Sequence, residues 1–354
     1  MNAIIKTAPA NLASTDCPIP ILDVADFLNG EPGALEPLSF ALRDAMEKIG
    51  FYYLCGHDVP QSLIDDVFSA CAHFHAQPLE AKMALRANEH NVGYMPVNGY
   101  VSKSSRVEKA MRPNLVEAFF VKRDLPPEHP DVIANIRYRC TNQWPVPEAL
   151  PGFRETIVAY CEAMERLCVR LMPVYAAALE LEPDYFSEAF REPQYALRMS
   201  HYPPAESGDD HQYGVAPHSD SSFLTMLAQS ELPGLSIRFP SGDWVDAPII
   251  HDAFLVNSGD MLRRWTNHRF RSTPHRVINR NANRDRYAIP FFFDATYNYV
   301  MDCLPTCQGP DNPPRYEPTT YSDYMRWFAR QYDHVRDQDA QEPEDPGVPQ
   351  TQGE

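Results

Sequence analysis

The sequence predicts a mostly β protein with surrounding helices: an antiparallel sandwich or barrel of jelly-roll type, behind a mainly helical N-terminal part. Three observations carry this. Between Tyr195 and Tyr299, short strand-like runs are divided by Gly, Pro, Asn and Asp. Before that stretch, apolar residues recur at helical spacing. The 34 prolines among 354 residues, about twice the usual share, favour many short elements over a helical bundle.

Taken in order, Leu38, Leu42, Ala45, Met46 and Ile49 form one helical face, and Gly50 ends it. Phe51 to Cys55 is a short apolar run of strand composition. Ser62, with Asp65 three residues on, caps a second helix whose apolar face is Leu63, Ile64, Val67, Phe68 and Cys71. A long helix is expected from Glu155 to Leu181, with Pro173 as a kink. The strand candidates are 223–228, 235–239, 244–247, 254–257, 275–279 and 287–293, and a last helix runs from Tyr321 to about Val335. Residues 1–16 read as a flexible N-terminus, and the Gln/Glu/Pro-rich residues 337–354 as a disordered tail.

Charge narrows the partners. With 31 basic and 48 acidic residues the net is −17, which disfavours nucleic acid and anionic membranes. No stretch approaches the roughly 18 apolar residues of a membrane span. Met1 to Asp16 lacks an apolar signal core, and the eight cysteines include no CxxC pair, so a cytoplasmic protein with reduced thiols is expected. A monomer acting on a small molecule is the default.

Twelve histidines compete for attention. His73 and His75, two apart on a helix, point about 200° from each other and do not share an ion. Asp209-Asp210-His211 reads as a polar loop. His218 and Asp220 differ: two apart in extended chain, they project on one face. His275 lies on a later strand, and two imidazoles with one carboxylate make the facial set of non-haem Fe(II) oxygenases. Eleven residues further on, Arg286 and Ala288 share one face of a strand, while Tyr287 and Ile289 take the other. An arginine in a barrel mouth is held either by a structural ion pair or by an anionic ligand.

The order His-x-Asp, His, Arg resembles the Fe(II)- and 2-oxoglutarate-dependent oxygenases, and more narrowly their isopenicillin N synthase-like branch. Lys48 to His57 is similar to that branch's N-terminal "GFF-hydrophobic-xGH" signature, and Ser200-His201-Tyr202-Pro203-Pro204 to the segment before its His-x-Asp. Asn257 to Leu262, followed by Ser272 to Val277, resembles its "NxGDxL…SxxHRV" stretch. The likeness spans roughly residues 18–300. It implies a double-stranded β-helix core with Fe(II) on His218, Asp220 and His275, and 2-oxoglutarate held by Arg286 and Tyr202. It implies O2 as oxidant, and oxidation of a substrate C–H bond with release of succinate and CO2, as in secondary metabolism. Asp260 then serves the turn rather than the chemistry.

The matching division is an N-terminal dioxygenase region at 17–190, a jelly-roll core at 191–300 and a helical extension at 301–336. Tyr94, Phe119 and Phe293 fall where relatives line their cavities, and Arg264 is a candidate for a substrate carboxylate. One departure stands out: Ala288 replaces the serine usually found two residues after the arginine. It leaves open an oxidase of the same branch that uses no 2-oxoglutarate. A non-catalytic metal- or ligand-binding protein is the alternative from another class.

Overall fold

A computed structural model describes residues 17–99, 107, 112–205, 212–281 and 283–333. The expectations for residues 1–16, for Asp209-Asp210-His211 and for residues 337–354 lie outside the described residues.

The chain opens with β1 (Ile21–Asp23), α1 (Ala25–Leu28), α2 (Leu35–Lys48) and β2 (Phe51–Cys55). Leu38, Leu42, Ala45 and Met46 are the buried face of α2. Gly50 turns the chain into β2 with φ +77°, and a Cβ there would sit 2.7 Å from the Arg271 carbonyl, so only glycine fits. Next come α3 (Gln61–His75), α4 (Leu79–Met83), β3 (Gly93–Met95), β4 (Glu117–Lys122), α5 (Pro130–Ile133) and α6 (Phe153–Ala178). The expected Ser62 cap is displaced: Pro60, extended at φ −61°, precedes the helix, and Ser62 lies within its first turn. The long helix α6 is continuous through Pro173.

The remaining strands are β5 (Gln194–Tyr202), β6 (Val215–His218), β7 (Leu224–Gln229), β8 (Leu235–Arg238), β9 (Trp244–Asp246) and β10 (Phe254–Ser258). After α7 (Asp260–Trp265) come β11 (His275–Val277) and β12 (Arg286–Asp294). A small ribbon, β13 (Val300–Met301) with β14 (Thr319–Thr320), leads into α8 (Tyr321–Asp333).

Two sheets face each other. The larger runs β1-β2-β10-β7-β12-β5-β4-β3, and the smaller β6-β11-β8-β9. The N-terminal part is therefore less purely helical than its sequence suggests, since β1 to β4 complete both edges of the larger sheet. β4 escaped notice because it is buried on both faces over most of its length and lacks a period of two. The outer face of the larger sheet, with Met199, Phe291 and Phe293, packs on Met46, Val67, Phe74 and Met164 of the helices. Its inner face brings Phe51, Tyr202 and Ala288 against Val215, Leu235 and Val277 of the smaller sheet. This is the expected jelly roll, and its inter-sheet space holds the candidate site.

The C-terminal extension is tied to the core through a buried carboxylate. Asp294, at the end of β12, accepts from the Phe223 amide (3.0 Å) and the Tyr321 hydroxyl (3.1 Å). Burial raises its pKa to about 6, although both hydrogen bonds work the other way. Unfolded aspartate titrates near ~3.9, so between these values the folded chain binds more protons. Stability from this group is thus greatest at low pH and falls as pH rises towards about 6. Relative to Asp294→Asn, the wild type should lose on the order of 3 kcal/mol across that window, read from melting curves at stepped pH. Parallel profiles for the two proteins would show that Asp294 titrates normally.

Candidate metal centre

β6 and β11 are antiparallel neighbours, and their register sets His275 opposite His218, with ring centroids 4.4 Å apart. Asp220 lies two residues past the end of β6, in a turn rather than in the strand itself. That turn is clamped from behind. The Asp260 amide donates to the Asp220 carbonyl (2.7 Å), and Ser219 Oγ donates to Asp260 Oδ2 (3.1 Å). Asp260 therefore shapes the turn.

The three side chains converge. Nε2 of each histidine lies 3.7 Å from Asp220 Oδ1. The Nδ1 atoms face the carbonyls of Ala216 (2.9 Å) and Thr273 (3.2 Å), which can only accept. Each Nδ1 thus carries the proton, and each Nε2 lone pair is free for a cation. Asp220 Oδ2 accepts from Thr225 Oγ1 (2.6 Å) and Asn257 Nδ2 (2.8 Å), which leaves Oδ1 for the centre. Burial raises the Asp220 pKa, but the two histidines and these hydrogen bonds outweigh it and hold the group ionised. Burial, then His275, pushes His218 down to about 4. At neutral pH His218 is a neutral imidazole beside an ionised Asp220, the protonation state that metal ligation needs.

Across the same cavity stands Arg286, 1% exposed. Its Nε donates to the Leu232 carbonyl (3.2 Å), while Nη1 is buried without a partner among the described residues. The guanidinium lies 4.8 Å from the Tyr202 ring centroid. Burial lowers its pKa, and Tyr202 partly offsets this. Gly234 (φ +149°) makes room: a Cβ there would lie 2.7 Å from the Ile278 carbonyl and 3.2 Å from Arg286 Nε. A buried cation with an orphaned donor is costly unless an anion completes it. Its planar fork suits a carboxylate.

Two family models match the chain: the 2OG-Fe(II) oxygenase superfamily over residues 193–295, and the N-terminal region of non-haem dioxygenases in morphine synthesis over residues 19–147. The 2-oxoglutarate-Fe(II) type oxidoreductase hxnY of Emericella nidulans is 34% identical over 319 residues, covering 88% of this chain and 89% of the relative. The chain belongs to the 2OG-Fe(II) oxygenase superfamily.

As a member it is an oxidoreductase that uses Fe(II) and 2-oxoglutarate. The fold agrees with that of T7H from Neurospora crassa, in complex with alpha-KG and thymine: TM-score 0.78, 24% identity, 92% of this chain and all (100%) of that one. JOX2, in complex with 2OG, Fe and JA, gives a TM-score of 0.71 at 26% identity, over 93% of this chain and 91% of that one. Among the described residues, no helix is long and apolar enough to cross a membrane.

Within this oxygenase the other expected site residues lie elsewhere. Phe119 packs on Phe74 (4.4 Å between centroids), and Phe293 stacks on Phe190 (5.0 Å), both on the helix side of the larger sheet. Tyr94 points the same way and donates to Glu117 Oε2. Arg264, on α7, lies over Tyr316 (4.2 Å), Tyr324 (5.2 Å) and Trp327 (5.6 Å), fastening the C-terminal helix. None of the four lines the cavity of the triad.

A second cluster, His75, Glu117 and His201, sits behind β5. Glu117 Oε2 accepts from Lys82 Nζ (2.8 Å), Oε1 from His201 Nδ1 (2.6 Å), and His201 Nε2 reaches Asp285 Oδ1 (2.7 Å). Burial raises the Glu117 pKa, but the bonds from His201, His75, Lys82 and Tyr94 hold it well below the usual carboxylate range. An ammonium already on the carboxylate marks a charge-paired brace, not a cation site. It locks β4 to β5 beside Tyr202 and Arg286.

Sequence reasoning missed Thr225 and Arg198, and named Ser200 and Asn257 only as members of family-like segments, without a role. Thr225 and Asn257 hold Asp220; Ser200 and Arg198 share the cavity face of β5 with Tyr202. Residue parity along β5, counted back from Tyr202, was the available signal for the last two.

Proposed function

We propose that His218, Asp220 and His275 hold Fe(II) on one face, and that Arg286, beside Tyr202, takes the distal carboxylate of 2-oxoglutarate. The enzyme couples 2-oxoglutarate and O2 to the oxidation of an unactivated C–H bond of a small molecule, by hydroxylation, desaturation or ring formation. For hydroxylation the balance is R–H + 2-oxoglutarate + O2 → R–OH + succinate + CO2. The observation that carries this is the buried Arg286 Nη1, orphaned in a cavity whose far end is the His–Asp–His cluster. When bound, the iron and 2-oxoglutarate together supply activation of O2. The chain's own work is placement: Thr225 and Asn257 aim one carboxylate oxygen, two carbonyls aim the imidazoles, and the apolar walls exclude water.

Ser200 supports this reading over an oxidase without 2-oxoglutarate. Ala288 pairs with Ser200 across the β5–β12 ladder, and Ser200 Oγ is buried without a partner among the described residues. The hydroxyl missing from position 288 thus has a counterpart on the neighbouring strand. A hydrogen bond to a charged group contributes about 1.5–3 kcal/mol, so Ser200→Ala should raise KM for 2-oxoglutarate by roughly 10- to 100-fold. An unchanged KM would remove Ser200 from the co-substrate site.

The division at 190 and 300 is kept as a proposal, supported by the matched segments 19–147 and 193–295. A monomer in a reducing cytosol, without nucleic-acid or membrane partners, is likewise proposed from the net charge of −17 and the eight free cysteines. The test of function is an anaerobic titration with Fe(II), then 2-oxoglutarate, followed in the visible. A weak charge-transfer band that needs both ligands is the expected result. Iron uptake without that band would overturn 2-oxoglutarate chelation.

A further inference from the structure

We infer that His201 is a positioning residue for 2-oxoglutarate: its charged ring, on the helix side of β5, holds the segment that carries Arg286. The inference rests on the co-substrate reading above and adds a pH control to the same site.

Position comes first. His201 lies between Ser200 and Tyr202, which face the cavity, so its own side chain projects from the opposite face of β5. The ladder sets Tyr202 opposite Arg286 and His201 opposite Tyr287. One imidazole thereby grips both chain neighbours of Arg286. Its Nε2 donates to Asp285 Oδ1 (2.7 Å), and its ring stacks on Tyr287 at 5.1 Å between centroids, with the planes 20° apart. Its Nδ1 donates to Glu117 Oε1 (2.6 Å), which anchors the ring to β4.

Charge follows from those two bonds. A carboxylate can only accept, so both ring nitrogens carry a proton and the ring is an imidazolium. Burial opposes that charge, but Glu117 and Asp285 outweigh it and raise the His201 pKa. The groups packed around the ring are set apart from it. Burial pushes His75, 5.3 Å away between centroids, downward. It pushes the Cys71 thiol up, and the Tyr287 hydroxyl up to about 12. Lys82 Nζ and the Tyr94 hydroxyl donate to the other Glu117 oxygen.

A neutral ring has one N–H for two carboxylates. Glu117 is buried and cannot turn to water, whereas Asp285 is half-exposed. The remaining proton therefore stays on Nδ1, and the Asp285 bond is the one released. The start of β12 then loosens one residue before Arg286, and the guanidinium loses its fixed aim. Affinity for 2-oxoglutarate is full while the ring is charged. It falls as rising pH neutralises the ring, on the alkaline side of ~6.5, the ordinary histidine value.

The experiment loads the full chain with Mn(II) and measures the Kd for 2-oxoglutarate by calorimetry, from about pH 6 to about pH 9. The wild-type Kd should rise by about tenfold across this range. His201→Gln and Asp285→Asn should each show the weaker Kd throughout, with a flattened profile. Asp285 is half-exposed, so its variant keeps the fold and decides the matter should His201→Gln not fold. A wild-type Kd that stays constant with pH, or an Asp285→Asn variant that follows the wild-type profile, overturns the inference and leaves the co-substrate reading intact. A wild type that takes up no 2-oxoglutarate at any pH brings down the co-substrate reading, and this inference with it.

Discussion

In a His275→Ala variant, iron-dependent succinate formation should fall to background while the metal-free protein melts within a few degrees of the wild type. The first half follows from the donor set. With the Nε2 lone pair gone, one imidazole and one carboxylate remain, too few to hold Fe(II) against water and buffer. The second half follows from where the ring sits. His275 lines the cavity, donates only to the Thr273 carbonyl and meets Phe51 edge-on at 5.5 Å between centroids. Its loss therefore enlarges a space already present instead of opening a void in the helix-side core. Metal binding offers a readout that needs no substrate. A ligand at a hundred times its Kd stabilises the folded state by about 2.7 kcal/mol, so Mn(II) should raise the wild-type Tm and leave the variant unmoved. A variant that keeps the metal-induced shift would sink the assignment of His275 as a ligand.

The triad was legible because its information is local. His218 and Asp220 are two apart and His275 begins its own strand. Asp220 lies in a turn past β6, however, so it is chain order matched to the family's pattern, not strand alternation, that brings all three together. Arg286 and Tyr202 were legible too, although only the ladder shows that they form one rung. Parity could have corrected Phe293 in advance. It lies seven residues from Arg286 on one strand, an odd interval, and so must face the helices. The same counting, run back from Tyr202, finds Ser200 and Arg198. Tyr94 and Phe119 were beyond such reasoning. They pair with each other, and Phe119 pairs with Met199, so their face depends on a register between strands about eighty residues apart. Arg264 was misread for another reason. Its aromatic partners belong to a C-terminal segment whose docking no local pattern announces.

Replacing Arg286 with leucine should separate ligand binding from stability in opposite directions. Without 2-oxoglutarate the guanidinium is desolvated, bonded through Nε to one carbonyl and without an acidic partner among the described residues around it. A buried cation in that state costs the fold, and an apolar side chain of similar volume is often neutral or stabilising. Arg286→Leu should therefore match or exceed the wild-type Tm in the absence of 2-oxoglutarate. The reverse holds once 2-oxoglutarate is present. Two charge-assisted hydrogen bonds at about 1.5–3 kcal/mol each are lost, which predicts KM for 2-oxoglutarate higher by roughly a hundredfold or more. Iron affinity should change far less, because Arg286 touches none of the three ligands and the hydrogen bonds that aim them come from Thr225, Asn257, Ala216 and Thr273. Melting curves with and without 2-oxoglutarate, beside a metal titration, read all three effects. Unaltered dependence on 2-oxoglutarate would mean that the arginine holds a different anion, and the orphaned Nη1 would then point to the substrate instead.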